Sequence, residues 1–88
     1  MTFVLRGPLR RLVEFRPQVE VEAATLNGAI GALCRDYPQL RRALLDASGQ
    51  VRGVHRLALN SNMLGRTELN TPVNDGDVVE VVTTLAGG

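Results

Sequence analysis

Apolar residues recur at helical spacing in the middle of the chain, over residues 26–34. Side chains three and four positions apart share one face of a helix, so this run predicts an amphipathic helix packed on a core. Thr25 stands before it as an N-cap, because its hydroxyl accepts a hydrogen bond from a first-turn amide. Pro38 ends the helix, since proline disfavours helical angles at Tyr37. A shorter helical turn is predicted next, holding Leu40, Leu44 and Leu45.

Strand patterns precede this helix. The apolar run at residues 2–6 predicts an opening strand, and Gly7 and Pro8 predict a turn or wide loop after it. Apolar and polar residues alternate over 12–23, which predicts a half-buried strand. Pro17 interrupts that pattern, so we expect a sheet edge or a break near it.

The second half returns to strand character after a polar loop over 46–53. Strands are predicted at 54–60 and 78–85, with a brief strand or bridge over 63–69 between them. Turn residues at 60–62 and at 74–77 separate these runs. The order of elements predicts one α+β domain over residues 1–88 with the β-grasp arrangement, a mixed sheet packed on one main helix. Residues 85–88 are expected to form a flexible tail.

Composition narrows the classes of partner. The 88 residues carry a formal net charge of +1, so no strong attraction to nucleic acid or membrane follows. The aromatic residues are Phe3, Phe15 and Tyr37, too few for base stacking. Arginines near the N-terminus without a long apolar stretch do not make a signal peptide. One cysteine, Cys34, excludes an internal disulfide and favours a reducing cytoplasm.

Side chains able to do chemistry are few and scattered. Cys34 lies on the apolar face of the predicted helix and is expected to be a buried small hydrophobe. His55 has no second ligand at a useful spacing, so we assign it no role and predict no metal site. Asp75 and Asp77 fit turn chemistry, since two carboxylates are too few for a calcium loop. The pairs Arg10-Arg11 and Arg41-Arg42 are expected to be solvated.

The last third of the chain carries a family resemblance. Its features are Leu59-Asn60, the turn at 74–77, the valine-rich strand and the terminal Ala86-Gly87-Gly88. Together they resemble the ubiquitin-like sulfur carriers of thiamine and molybdopterin biosynthesis, and carriers for cysteine or thio-natural-product synthesis. The segment ending Tyr37-Pro38-Gln39-Leu40 also looks like the small subunit of molybdopterin synthase.

The resemblance implies a protein cosubstrate without catalysis or a bound cofactor of its own. An activating enzyme would use ATP to adenylate the Gly88 carboxylate, and sulfide or a persulfide protein would convert it to a thiocarboxylate. A sulfurtransferase or synthase would then accept the sulfur. The tail residues Gly87, Ala86 and Leu85 would thread a narrow channel to the nucleotide. Leu85 would anchor the base of the tail, while Ala86 and Gly87 have little or no side chain to obstruct the channel.

Alternation along the last strand predicts a docking surface. If Val79 and Val81 face the helix, Val78 and Val82 lie on the opposite face and are candidates for partner contact. Three alternatives to a free carrier stay open. They are the small subunit of molybdopterin synthase, a protein modifier that forms isopeptide bonds with lysines, and a plain interaction domain.

Overall fold

The computed structural model of the protein describes residues 1–65 and 69–83. Within those residues, one five-stranded sheet is packed against helices. Its strands are β1 (Thr2–Leu5), β2 (Gln18–Glu20), β3 (His55–Leu59), β4 (Asn62–Met63) and β5 (Val78–Thr83). The helices are a 3-10 helix (Gly7–Val13), α1 (Leu26–Asp36) and α2 (Pro38–Leu44). No helix in this part of the chain is long and apolar enough to cross a membrane.

The sheet has the order β2-β1-β5-β3-β4, with β5 at its centre. β1 and β5 are parallel, pairing Phe3 with Val79, whereas β3 is antiparallel to β5 and pairs Leu57 with Val81. A hairpin, a helix across the sheet and a central last strand define the β-grasp topology. The predicted α+β fold is therefore confirmed.

One face of the sheet and α1 enclose the core. Val79 and Val81 are both fully buried, as are Phe3 and Leu5 on the neighbouring strand. α1 contributes its apolar face, whose buried residues are Leu26, Ala29, Ile30, Leu33 and Cys34. Burial of each large aliphatic side chain stabilises the fold by about 1.5–3 kcal/mol, so this layer dominates stability. Val79 and Val81 therefore face the helix, which is the condition on which the predicted docking surface depended.

Both ends of α1 follow from local chemistry. Thr25 Oγ1 accepts a hydrogen bond from the Gly28 amide at 3.1 Å, which satisfies a first-turn donor. At the other end Tyr37 leaves helical angles, and Pro38 then begins α2, where its missing amide hydrogen is not needed. The predicted N-cap and the predicted break before a second short helix are both confirmed.

The stretch between β1 and α1 differs from the prediction. Gly7 and Pro8 open a 3-10 helix and not a turn, because proline is favoured in a first helical turn. The predicted strand over 12–23 is wrong for most of its length, since Val13 belongs to that helix and β2 covers only Gln18–Glu20. Phe15 lies between them and is 65% exposed.

Candidate functional site

The candidate site is the edge of the sheet where β5 ends. β5 lies between β1 and β3 and ends at Thr83, so the chain continues toward its C-terminus from the centre of the sheet. The predicted tail residues lie outside the described residues: Leu85, Ala86, Gly87 and Gly88. Within the described residues, the candidate site therefore consists of the groups that hold β5 in position.

His55 joins the end of β5 to α2. Its Nε2 lies 2.7 Å from the Ala43 carbonyl oxygen, and its Nδ1 lies 3.0 Å from Thr83 Oγ1. A carbonyl oxygen only accepts, so Nε2 carries the hydrogen and Nδ1 of the neutral ring accepts from the Thr83 hydroxyl. His55 is only 8% exposed, and both of its ring nitrogens have hydrogen-bond partners. His55 therefore anchors the last described residue of the strand.

A second set of hydrogen bonds holds the start of β5. Asn60 accepts from the Val78 amide through Oδ1 at 2.9 Å and donates through Nδ2 to Asp77 Oδ1 at 3.0 Å. Asp77 Oδ2 accepts from the Asn74 amide at 2.8 Å. These bonds hold the pKa of the Asp77 carboxyl below its ordinary value, the Asn60 amide contributing most and the Asn74 amide next. Asn60 and Asp77 thus fix where β5 begins.

The outer face of the sheet carries the two predicted docking residues. Val82 is partly buried and lies opposite Arg56, at the end from which the tail continues. Val78 is 40% exposed and lies opposite Thr2, at the other end of the strand. At about 3.3 Å per residue the two are roughly 13 Å apart, so they share a face without forming one patch.

Arg6 covers part of the outer face between these valines. Its Nε lies 2.9 Å from Glu80 Oε2, and the Arg6 side chain is 68% exposed. Glu80 is the residue between Val78 and Val82 on that face, because side chains alternate along a strand. The surface beside Val82 is therefore both apolar and basic.

Other side chains with chemical potential have structural roles. Cys34 is 5% exposed, and burial raises the pKa of its thiol, with Arg41 opposing that rise. Asp77 belongs to the turn already described, as predicted. Across residues 1–65 and 69–83 no group of His, Cys, Asp and Glu is arranged to hold a metal ion.

Sequence reasoning missed the roles of His55 and Asn60. The partners of His55 lie 12 and 28 residues away along the chain, so no local spacing reports them. The sequence placed Asn60 in a turn and in the family resemblance, but predicted no partner for its side chain. Asn60 has a left-handed backbone, with φ of 49°, which asparagine adopts more readily than most residues. An asparagine at a predicted turn was therefore the available sequence signal.

The fold and the central last strand define the structural class, a ubiquitin-like β-grasp protein. The chain belongs to the ThiS family, whose family model matches residues 4–88. That match begins within β1, covers the other four strands completely and extends through Gly87 and Gly88. No curated protein sequence matches the chain.

Solved structures agree on the fold. SAMP1 from Haloferax volcanii superposes with a TM-score of 0.86 at 20% identity, covering 99% of this chain and 97% of that one. A chain of the Amycolatopsis orientalis BexX/CysO complex gives 0.84 at 21% identity, covering 99% and 98%. Urm1 from Trypanosoma brucei gives 0.78 at 27% identity, covering 99% and 93%. The TM-scores establish the shared β-grasp fold. At identities this low they do not show that the chemistry is shared.

Proposed function

We propose that the protein is a sulfur carrier whose Gly88 carboxylate is converted to a thiocarboxylate. The observation that carries the proposal is the family match, which runs to residue 88 and therefore includes the Gly-Gly end. A carboxylate is a poor electrophile and needs activation before sulfur can be added. The protein acts in this scheme as a consumed and regenerated cosubstrate.

The chemistry takes two steps on the activating enzyme. An oxygen of the Gly88 carboxylate attacks the α-phosphate of ATP, pyrophosphate leaves, and an acyl-adenylate forms. Sulfide, or the terminal sulfur of a persulfide protein, then attacks the acyl carbon, and AMP leaves with the bonding electrons. When a persulfide is the donor, reduction of the resulting acyl disulfide by a thiol releases the thiocarboxylate. That group is a sulfur nucleophile for a sulfurtransferase or synthase, and ATP is used only by the partner.

The described part of the chain supports this role through the way β5 is held. β5 is bonded on both sides, to β1 and β3, and His55 pairs with its last described residue. We call the end of β5 at Thr83 the tail root. A partner that binds the domain therefore meets the tail root at a defined position. Preorganisation of this kind lowers the conformational entropy that is lost when the tail enters an active site.

We assign partner contact chiefly to the end of the outer face that carries Val82. Val82 lies three residues before Leu85, toward the tail, whereas Val78 lies at the far end of the strand. In this proposal Val82 docks on the activating enzyme while Leu85, Ala86 and Gly87 enter its channel. Val78 contacts only a partner that covers the whole outer face.

One comparison of variants tests the threading of the tail. Gly87→Leu should abolish AMP formation by the activating enzyme, because the added side chain obstructs the channel. Gly31→Leu is the matched control, since Gly31 is exposed on α1 and a Cβ there meets no described atom within 4 Å. Normal AMP formation with Gly87→Leu would contradict the proposal.

The modifier and the synthase-subunit alternatives have their own readouts. Isopeptide-linked lysine conjugates in cell extracts would indicate a modifier, and stable co-purification with a larger catalytic subunit would indicate a synthase subunit. The carrier proposal expects a free protein in a reducing cytoplasm, with a terminal thiocarboxylate as its dominant modified form.

A further inference from the structure

Exposed arginines gather at the sheet edge from which the tail continues. β1 and β5 are parallel and pair Leu5 with Val81, so the segment that follows β1 leaves the sheet at the edge where β5 ends. That segment, residues 6–17, carries Arg6, Arg10, Arg11 and Arg16, all exposed, against one acidic residue, Glu14. The β1 side of the tail root is therefore strongly basic.

The β3 side adds to the same charge. β3 is antiparallel to β5 and pairs Arg56 with Val82, so β3 begins at this edge. Arg52 lies just before it and donates from Nε to the Arg42 carbonyl oxygen at 3.1 Å, which holds the loop against α2. We define the arginine face by six exposed side chains: Arg6, Arg10, Arg11, Arg16, Arg52 and Arg56.

The opposite edge of the sheet carries the balancing acidic residues. Glu20 pairs with Thr2 at the start of β1, and Glu22 follows it. Asp75 and Asp77 lie in the turn that leads into β5. The formal net charge of +1 therefore conceals a partial separation of charge along the strands: the tail root is the more positive end, although Glu14, Glu80 and Asp46, which lies near Arg52, offset part of its arginine charge.

Phe15 projects from the arginine face in a strained turn. Glu14 and Phe15 both have left-handed backbones, with φ of 58° and 61°, which is unusual for a bulky residue. The turn is fixed because the Phe15 amide donates to the Arg10 carbonyl oxygen at 2.7 Å and Arg10 donates from a guanidinium nitrogen to the Phe15 carbonyl oxygen at 3.3 Å. Strained backbone that presents an exposed aromatic ring is a recurrent feature of binding sites.

We infer that the arginine face is a docking surface for an acidic protein partner, with Phe15 as its apolar anchor. Arginine and aromatic side chains often supply the contacts that contribute most to the binding free energy of an interface. The inference rests on the proposed function, because the partner that receives the tail must lie against the surface around the tail root. It assigns that partner, the activating enzyme, a rim of carboxylates and an apolar pocket at its channel entrance.

A protein partner fits the charges better than a nucleic acid does. Glu14 lies within the arginine face, Glu80 pairs with Arg6, and the far edge of the same small domain is acidic. A long phosphate backbone would meet both signs of charge. Phe15 is the aromatic residue of this surface, whereas single-stranded nucleic acid is bound on several stacking rings.

The test compares two double variants that change net charge equally. Arg11→Gln with Arg16→Gln removes two charges from the arginine face and leaves Arg10 in its turn. Asn27→Asp with Asn70→Asp adds two negative charges at exposed positions near the start of α1, at the opposite edge. Each is assayed for AMP formation by the activating enzyme, supplied with ATP and sulfide, over a range of carrier concentrations at low and raised NaCl. Equal thermal unfolding midpoints establish that both variants fold.

We expect the arginine variant to raise KM roughly three- to tenfold without a change in kcat, and the difference to shrink in salt. The asparagine control should stay within about twofold of the wild type, because its charges lie away from the contact. Phe15→Ala should raise KM in a manner that salt does not diminish. Equal KM values for the wild type and both double variants, with normal turnover, would overturn the inference and leave the carrier function standing.

A second arm keeps the test independent of the enzyme. Binding of the wild type to poly-L-glutamate at low salt should weaken in the arginine variant and not in the control. Should the wild type fail to form AMP, the carrier function fails, and this arm alone decides the inference: equal binding by both variants would overturn it. Tight binding to an RNA duplex with no binding to poly-L-glutamate would also overturn it.

Discussion

His55 Nδ1 lies 3.0 Å from Thr83 Oγ1, across the pair of residues that closes the β3–β5 ladder. The other ring nitrogen donates to the Ala43 carbonyl oxygen at 2.7 Å, so one imidazole links α2 to the root of the tail. Hydrogen-bonded buried groups of this kind add about 1 kcal/mol each to stability and cost more when one partner is left unpaired.

A double-mutant cycle measures this link. Thr83→Val should lower the free energy of unfolding by about 1 kcal/mol, because Nδ1 loses its donor. His55→Leu should cost about 1–3 kcal/mol, since it leaves two polar groups without their partner. The double variant should lose less than the sum, with an interaction energy of about 1 kcal/mol from urea unfolding. The control pair, His55→Leu with Thr2→Val at the opposite edge, should be additive, and additivity in the test pair would contradict the link.

Acid sensitivity is expected from the turn before β5. The folded-state pKa of Asp77 is lowered from its ordinary value of 3.8, so its contribution to stability is complete above that pH. The contribution is lost as the pH falls through the folded-state value. Asp77→Asn should therefore be less stable than the wild type at about pH 7, and the difference should narrow at about pH 2.5.

Two controls frame that measurement. Asp75→Asn alters a carboxylate in the same turn that is not an acceptor of the Asn60 or Asn74 bonds, so it should change the pH profile little. The pKa of Asp46 is also lowered, chiefly by the Ser48 hydroxyl, so Asp77→Asn retains some acid sensitivity. An equal gap between the wild type and Asp77→Asn at both pH values would show that Asp77 does not act through its charge.

Alanine substitution should have opposite effects at two glycines, one in a helical backbone and one in a left-handed backbone. Gly31 lies inside α1 and Gly49 has φ of 86°, and an added Cβ meets no described atom within 4 Å at either position. Gly31→Ala should stabilise the protein by about 0.5–1 kcal/mol, because alanine loses less entropy in a helix. Gly49→Ala should destabilise it by about 1–2 kcal/mol. Urea midpoints that move in the same direction would refute the assigned backbone angles.

Cys34 should be inert in the folded protein. Its thiol is buried and its pKa is raised, so little reactive thiolate is present at neutral pH. An alkylating reagent should label the native wild type far more slowly than the urea-unfolded chain, as measured by intact mass, and Cys34→Ala should take no label in either state. Equal rates in the two states would place the thiol at the surface.

Sequence patterns predicted the elements in which local and tertiary preferences agree. The α1 run has a helical period, a capping Thr25 and a stop at Pro38, and all three appear in the structure. Burial alternates along the first four residues of β5, and the buried valines are Val79 and Val81, which face the helix. The family resemblance rested on β5, the turn before it, Leu59-Asn60 and the terminal Ala86-Gly87-Gly88, so local sequence was enough to predict the class of protein.

The pattern failed where alternation was accidental. Val13 and Phe15 are two residues apart, as on one face of a strand, yet Val13 is fully buried and Phe15 is 65% exposed. The 3-10 helix and the left-handed turn at Glu14 and Phe15 reverse the chain between them, and no short-range pattern reports that. The arginine face could not be predicted from the sequence either, because its members come from the segment after β1, which includes the 3-10 helix, and from β3 and the loop before it, and these are brought together only by strand register.

The most direct measurement of the carrier function is the intact mass of the protein after incubation with its activating enzyme, ATP and sulfide. We expect a gain in mass equal to the exchange of one oxygen for sulfur, located by fragmentation at Gly88. It should be absent without ATP and absent when Gly88 is deleted. Fragmentation also separates it from oxidation of Met1 or Met63, and labelling by an alkylating reagent at the terminus with Cys34 untouched would corroborate it. An unchanged mass with an enzyme that is active on ATP would contradict the account.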